Sequence, residues 1–253
     1  MTDTSGERID ERAFLAAYDA ARYPRPSVTV DVVLLTVRDG GLWALLGRRA
    51  GHPARDRWAF PGGFVGIDES LDDAAARVLR EKAGLDGVFT EQLYTFGSPG
   101  RDPRTRVISV AYYALVDRAT LERAVAAQHD ERLCIARLAT PSADGADRSI
   151  QALDGAGAPL PLAFDHADVL ATAVNRIRGK LDYAPIGFEL LPKAFSLRDL
   201  RLVHEAILGR ALNKDSFRRR ILDRGLVVPT GKRAVGVGHR PPELYRFTDR
   251  SAT

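Results

Sequence analysis

Cysteine is nearly absent: Cys134 stands alone among 253 residues. A single thiol excludes an internal disulfide and any zinc site built on cysteines, and it suits a reducing compartment. Long apolar runs are also missing. No stretch approaches the roughly 20 apolar residues that a membrane span needs, so no membrane partner is expected and the chain is expected in the cytoplasm. The leading segment MTDTSGERIDERAF is polar and mixed in charge, unlike a secretory signal. No internal repeat stands out. What is present is ordinary for a soluble protein, 45% hydrophobic and 28% charged. The length allows two domains, each with its own core.

The net charge of +4 conceals an asymmetry. From Lys193 onward there are 14 Lys and Arg against 6 Asp and Glu; the preceding residues carry 23 against 27. A basic tail on a mildly acidic body suits a polyanion-binding module or a solvated basic face. Charge alone does not separate the two.

The local pattern sets an order of elements. Tyr23-Pro24-Arg25-Pro26 leads extended into a strand over 28–37, and Asp39-Gly40-Gly41 turns it into a second strand over 42–47. A short strand is expected over 58–64. Ser70 can cap a helix that runs to about Ala83 and stops at Gly84. β-branched and aromatic residues mark strands over 88–97 and 107–116, separated by the basic turn SPGRDPRTR. Residues 119–128 fit a short helix or a loop. The stretch 141–161 reads as an irregular loop with a weak hairpin at Asp154-Gly155, and Asp165 can cap a helix over 166–181. The expected division is a first domain over 1–182, a junction over 183–192 and a second domain over 193–253.

The last segment has its own grammar. Ser196 opens a capping-box-like SLRD. Leu200, Val203, Ile207 and Leu208 recur at helical spacing until Gly209. Asn213 can cap a second helix over 214–224, and the strands LVVPT and LYRFT follow, joined by the basic turn GKRAVGVGHRPPE. Helix, tight turn, basic helix and hairpin make a winged helix-turn-helix. With Phe217 set at zero, Ile221 falls about 40° away and points with it to a core. Arg219 lies nearly opposite, flanked by Ser216 and Arg220 on one side and Arg218 on the other. Lys214 stands at the N-terminus, where recognition helices contact bases. Lys232, Arg233, His239 and Arg240 are placed in the wing turn, suited to a minor groove or backbone.

Residues Gly63 to Leu85 read GFVGIDESLDDAAARVLREKAGL. This resembles the Nudix box, G-x5-E-x7-R-E-U-x-E-E-x-G-U with U aliphatic. Gly63, Glu69, Arg77, Leu79, Glu81, Gly84 and Leu85 fall on the pattern. Val78 and Lys82 stand where it has carboxylates. The resemblance implies an ion pair of Glu69 with Arg77 that braces loop and helix. It also implies that positions 78, 81 and 82, one turn apart on one helix face, would hold metal. Valine donates nothing, and an ammonium repels a divalent cation. Glu81 alone is left, so neither a metal site nor a catalytic residue is expected.

The expected ligand contacts are Arg48, Arg49, Gly62, Gly63, Phe64, Glu81, Lys82, Arg101 and Arg104. The glycines admit a ligand close to the backbone, and the arginines suit a diphosphate, with Arg106 on the same loop. Each arginine taken singly is more often a solvated surface charge. Phe64, Tyr94 and Phe96 suit stacking on an adenine, but core packing is the commoner role for any one of them. His129 and His166 show no partner at metal-ligand spacing and are read as structural.

Blocks from both halves, among them WAFPGGFV, EQLYTFGSPGRDPRTRVISVAYYALV, LAFDHADVL, FSLRDLRLVHEAILGRALNKDSFRRRIL and RPPELYRF, are similar in order to those of the Nudix-related transcriptional regulator family (NrtR). The resemblance implies an α+β chain: a Nudix α/β/α sandwich with mixed sheet, followed by a C-terminal winged helix-turn-helix. It further implies a homodimeric repressor of NAD biosynthesis or salvage genes. Such a repressor binds double-stranded operator DNA and takes ADP-ribose or a related NAD metabolite as effector, with no required cofactor. The other reading is an active ADP-ribose-type diphosphatase with a basic appendage.

Overall fold

The computed structural model describes residues 10–139, 149–181, 187–234 and 241–248. Its centre is a mixed sheet of order β5-β6-β1-β2-β7-β8, comprising β1 (Ser27–Arg38), β2 (Gly41–Arg48), β5 (Glu91–Phe96), β6 (Val107–Leu115), β7 (Leu133–Ala139) and β8 (Gln151–Leu153). The short strands β3 (Trp58–Ala59) and β4 (Gly62–Phe64) pair with β2 and β1. β1 runs parallel to β6 and antiparallel to β2. The continuous apolar run of β1 follows from burial on both faces: Val33 and Leu35 enter one core cluster, Val30, Val32 and Leu34 the other.

Helices cover both faces. On one lie α2 (Leu71–Ala83) and α3 (Arg118–Gln128), through residues such as Leu79 and Leu121. On the other lies α4 (His166–Lys180), through Val169, Leu170, Ala173, Val174 and Ile177. A short helix, α1 (Glu11–Ala17), precedes the sheet and buries none of its residues. The C-terminal module contains α5 (Leu197–Leu208), α6 (Lys214–Asp223) and a two-stranded sheet of β9 (Val227–Arg233) and β10 (Glu243–Phe247). No helix among the described residues is long and apolar enough to cross a membrane.

Several expectations are corrected. Residues 58–64 form two strands rather than one, because each pairs with a different neighbour. The strand expected over 88–97 is limited to β5, and 119–128 is a helix, α3, capped by the Asp117 side chain on the Thr120 amide. Asp165 precedes α4, but its side chain makes no capping bond; Arg101 takes both its oxygens. The capping box of Ser196 with Asp199 is present. Strand β9 extends through Lys232 and Arg233, which therefore lie on the strand rather than in the turn. His239 and Arg240 lie outside the described residues.

Helix α5 serves two cores. Leu197 and Leu200 join Phe195, Phe217, Ile221, Val227 and Tyr245 in the C-terminal cluster. Val203 and Ile207 join Ile177 and Leu181 in the sheet's cluster. A helix apolar on two sides welds the module to the sandwich.

Candidate functional site

The loop before α2 is braced as the motif implies. Arg77 donates to both oxygens of Glu69 at 2.6 and 2.9 Å and to the Phe64 carbonyl at 3.0 Å. Glu69 also accepts the Gly66 amide at 2.6 Å. Arg77, with help from that amide, holds the Glu69 carboxyl down to about 2. Ser70 caps the helix, and Gly84 ends it in the left-handed conformation. Along α2 the three positions where the motif has carboxylates diverge. Val78 is buried in the apolar cluster, whereas Glu81 and Lys82 are exposed.

A first cavity of about 230 Å³ opens beside this ribbon, lined by Thr29, Asp31, Arg49, Phe60, Gly62, Gly63, Phe64, Arg101, Asp102, Arg104, Phe164 and His166 among others. Its floor is a buried polar network. Asp31 accepts from the Ser109 hydroxyl and lies 3.7 Å from Arg101 and 3.8 Å from His166 Nε2. Arg101 grips Asp165 at 2.7 and 2.9 Å. His166 Nδ1 accepts the Phe60 amide at 3.1 Å, so the neutral ring carries its proton on Nε2, facing Asp31. Burial pushes the His166 pKa down. Gly62 has no room for a side chain: a Cβ would stand 2.2 Å from Asp31 Oδ1 and 2.9 Å from the Val30 carbonyl. The Thr29 hydroxyl on the wall has no hydrogen-bond partner among the described residues.

A second cavity, of about 380 Å³, shares Arg49, Ala59, Phe60 and Gly62 with the first. It is further lined by Arg48, Glu81, Lys82, Gln128, Asp130 and Arg132. The residues here do not fit a divalent cation. Val78 contributes no oxygen, Glu81 is paired with Arg77 at 3.5 Å, and four of the lining side chains are cationic. Among the described residues no group of three or more His, Cys, Asp or Glu is placed to hold a metal.

The predicted contacts thus divide. Arg49, Gly62, Gly63 and Phe64 line the first cavity with Arg101 and Arg104; Arg48, Glu81 and Lys82 line the second with Arg49 and Gly62. Arg101 is almost fully buried and committed to Asp165, and Arg104 forks Asp102 at 2.8 and 3.0 Å while lying 5.7 Å over the Phe64 ring. The Arg106 guanidinium donates to the Ser98 and Val107 carbonyls. Tyr94 and Phe96 pack edge to face at the sheet margin, in a separate open groove.

In the C-terminal module the helical-wheel reading matches the burial. Phe217 and Ile221 are buried, and Lys214, Ser216, Arg218, Arg219 and Arg220 are exposed. Asn213 caps α6 by accepting the Asp215 and Ser216 amides at 3.1 and 3.0 Å. Arg220 lies 5.9 Å over the Phe217 ring. Arg233 donates to the Pro241 carbonyl at 3.1 Å, and Lys232 is exposed beside it. A capped basic helix beside a basic strand offers guanidinium groups to base edges and phosphates.

Comparison with known proteins gives two domain matches, a NUDIX domain over residues 25–149 and an NrtR DNA-binding winged helix domain over 187–247. A relative from Acinetobacter baylyi, the ADPR responsive transcriptional repressor NtrR, is 38% identical over 94% of this chain and 88% of its own. The chain belongs to the NrtR family of transcriptional regulators. Shewanella oneidensis NrtR, solved in complex with a 27mer DNA, superposes with a TM-score of 0.70 at 32% identity over 87% of this chain and 93% of its own. A MutT/nudix family protein from Enterococcus faecalis gives 0.72 at 26% identity, covering 95% and 94%.

Within this NrtR-family chain, several lining residues are absent from the sequence reading: Thr29, Asp31, Asp102, Arg132, Phe164 and the lining role of His166. Asp31 carried a usable signal, being the one charge inside the apolar run VTVDVVLLTV. A buried charge needs a built partner set. Phe164 and His166 carried none, because only the return of the chain under β3 brings them to Phe60.

Proposed function

We propose that this chain is a homodimeric, ligand-responsive repressor of NAD-metabolism genes. It binds duplex operator DNA through Lys214, Ser216, Arg218, Arg219 and Arg220, helped by Lys232, Arg233 and Arg240. It takes ADP-ribose or a related NAD metabolite in its Nudix-like cavities without hydrolysing it and without a required cofactor. Residues 1–182 form the sensing domain, 183–192 the junction and 193–253 the DNA-binding domain. The observation that carries this reading is the pairing, in one chain, of an outward-facing basic helix with a Nudix-like helix that holds a buried Val78 and an exposed Lys82 where the motif has carboxylates. Two modules related by a two-fold axis suit a palindromic operator. The A. baylyi relative named as an ADPR-responsive repressor supports the effector class.

The test is a gel shift with DNA upstream of the protein's own gene, titrated with ADP-ribose and with NAD. Binding in the nanomolar range that ADP-ribose shifts is expected; indifference to both metabolites would refute the effector. Formation of AMP and ribose 5-phosphate from ADP-ribose with magnesium separates a diphosphatase from this reading, and none is expected.

A further inference from the structure

We infer that Arg49 and Lys82 form a metal-free clamp for a diphosphate at the Gly62 ribbon, in the second cavity. This rests on the nucleotide-binding reading and adds where the phosphates sit and what neutralises them. Of the four cations lining that cavity, two are already neutralised: Arg48 pairs with Asp56 at 3.2 Å and Arg132 with Asp130 at 2.9 Å. Lys82 has no ion-pair partner among the described residues, and the carboxylate beside it in sequence, Glu81, pairs with Arg77 instead. Arg49 makes no salt bridge among the described residues, although Asp102 and Asp31 act on its charge from the first cavity. Its Nε donates to the Pro53 carbonyl at 3.0 Å and its guanidinium lies 4.8 Å over the Phe164 ring. The carboxylates of the first cavity are engaged elsewhere, Asp31 by Ser109 and Asp102 by Arg104.

Two cations without a salt bridge among the described residues therefore line one space. Partial burial and the nearby Arg104 push the Arg49 pKa down, against the opposing pull of Asp102 and Asp31. A diphosphate brings two negative charges and acceptor oxygens in abundance. Arginine offers it a fork and lysine a point charge, together supplying what a divalent cation supplies elsewhere. Arg49 lines both cavities, so a nucleotide diphosphate ester would place its phosphates here and its ring system against Phe60, Phe64 and Phe164 in the first.

The test is calorimetric titration of the full chain with inorganic pyrophosphate and, separately, with ADP-ribose, in EDTA. Wild type, Lys82→Ala and Arg49→Gln are compared; Lys82 is exposed, so its replacement spares the fold. Pyrophosphate is expected to bind in EDTA, to weaken as salt screens the charges, and to lose about tenfold in affinity with each substitution. Lys82→Arg should restore binding. Pyrophosphate binding that vanishes in EDTA and returns with magnesium, or that is unchanged in both variants, overturns the clamp. Should ADP-ribose bind wild type and both variants equally, the nucleotide reading survives and the clamp falls. Should pyrophosphate bind as expected and ADP-ribose not at all, the clamp stands and the effector reading falls.

Discussion

Arg178, in the last turn of α4, donates from Nε to the Ile207 carbonyl, in the last turn of α5, at 2.9 Å. The same helix α4 begins at Asp165, which grips Arg101 in the first cavity. One helix thus touches the first cavity at one end and the winged-helix module at the other. The contact is also costly to keep, since Nη2 of Arg178 is buried without a partner among the described residues and burial pushes the pKa of Arg178 down.

Replacing Arg178 by Met should loosen this joint. A hydrogen bond from a charged donor contributes about 1.5–3 kcal/mol, and relief of the buried charge offsets part of it. A net loss of about 1–2 kcal/mol in urea denaturation of the full chain is expected. ADP-ribose affinity should stay unchanged while its effect on operator binding shrinks. An unaltered response in the gel shift would show that α4 does not transmit the signal.

Rebuilding the Nudix box should fail at one position and be tolerated at another. Val78 is 1% exposed, so Val78→Glu would bury a carboxyl among Leu79, Ala75 and their neighbours. Such a group costs about 2–4 kcal/mol and is driven toward its neutral form, a poor metal ligand. Lys82→Glu, on the exposed face, should leave the melting temperature nearly unchanged. The double variant should remain inactive on ADP-ribose with magnesium. Robust turnover at wild-type stability would contradict this account.

Acid should weaken the fold through His166. Its folded pKa lies below the ordinary 6.5, because burial outweighs the opposing pull of Asp31 and Asp165. Above pH 6.5 both folded and unfolded rings are neutral and the full stability is present. As pH falls below about 6.5 the unfolded chain takes up a proton that the folded chain resists, and stability is lost at up to about 1.4 kcal/mol per pH unit. Urea midpoints at pH 7.5 and 5.5 measure the loss. His166→Gln should flatten the slope, and equal slopes for the two proteins would assign the acid sensitivity elsewhere.

The recognition face is best probed by substitution. Deleting residues 193–253 would strip Val203 and Ile207 from the sheet's own core and confuse binding with unfolding. Arg219→Ala removes an exposed guanidinium opposite the buried face of α6. It should cost about 1–3 kcal/mol at one base position if the contact is to a base edge. Equal losses on operator and random duplex would place Arg219 on a phosphate.

What the sequence by itself determined is whatever depends on near neighbours. The Ser196–Asp199 box, the Asn213 cap, the Gly84 stop and the outward face of α6 all join residues within one element or an adjoining loop. Their geometry follows from helix and turn periods, which the chain states directly. Tertiary structure decided the rest. Asp165, placed to cap a helix, was claimed by an arginine 64 residues away, because a buried guanidinium must find a carboxylate. Val78 shares its turn with Glu81 and Lys82 and yet is sealed in the core, because sheet packing decides which side of α2 meets water. Helix spacing marked the apolar positions of α5 but not that two cores would divide them. The division of charges between paired and unpaired in the second cavity likewise rests on distances between separate loops and strands, which no spacing along the chain encodes.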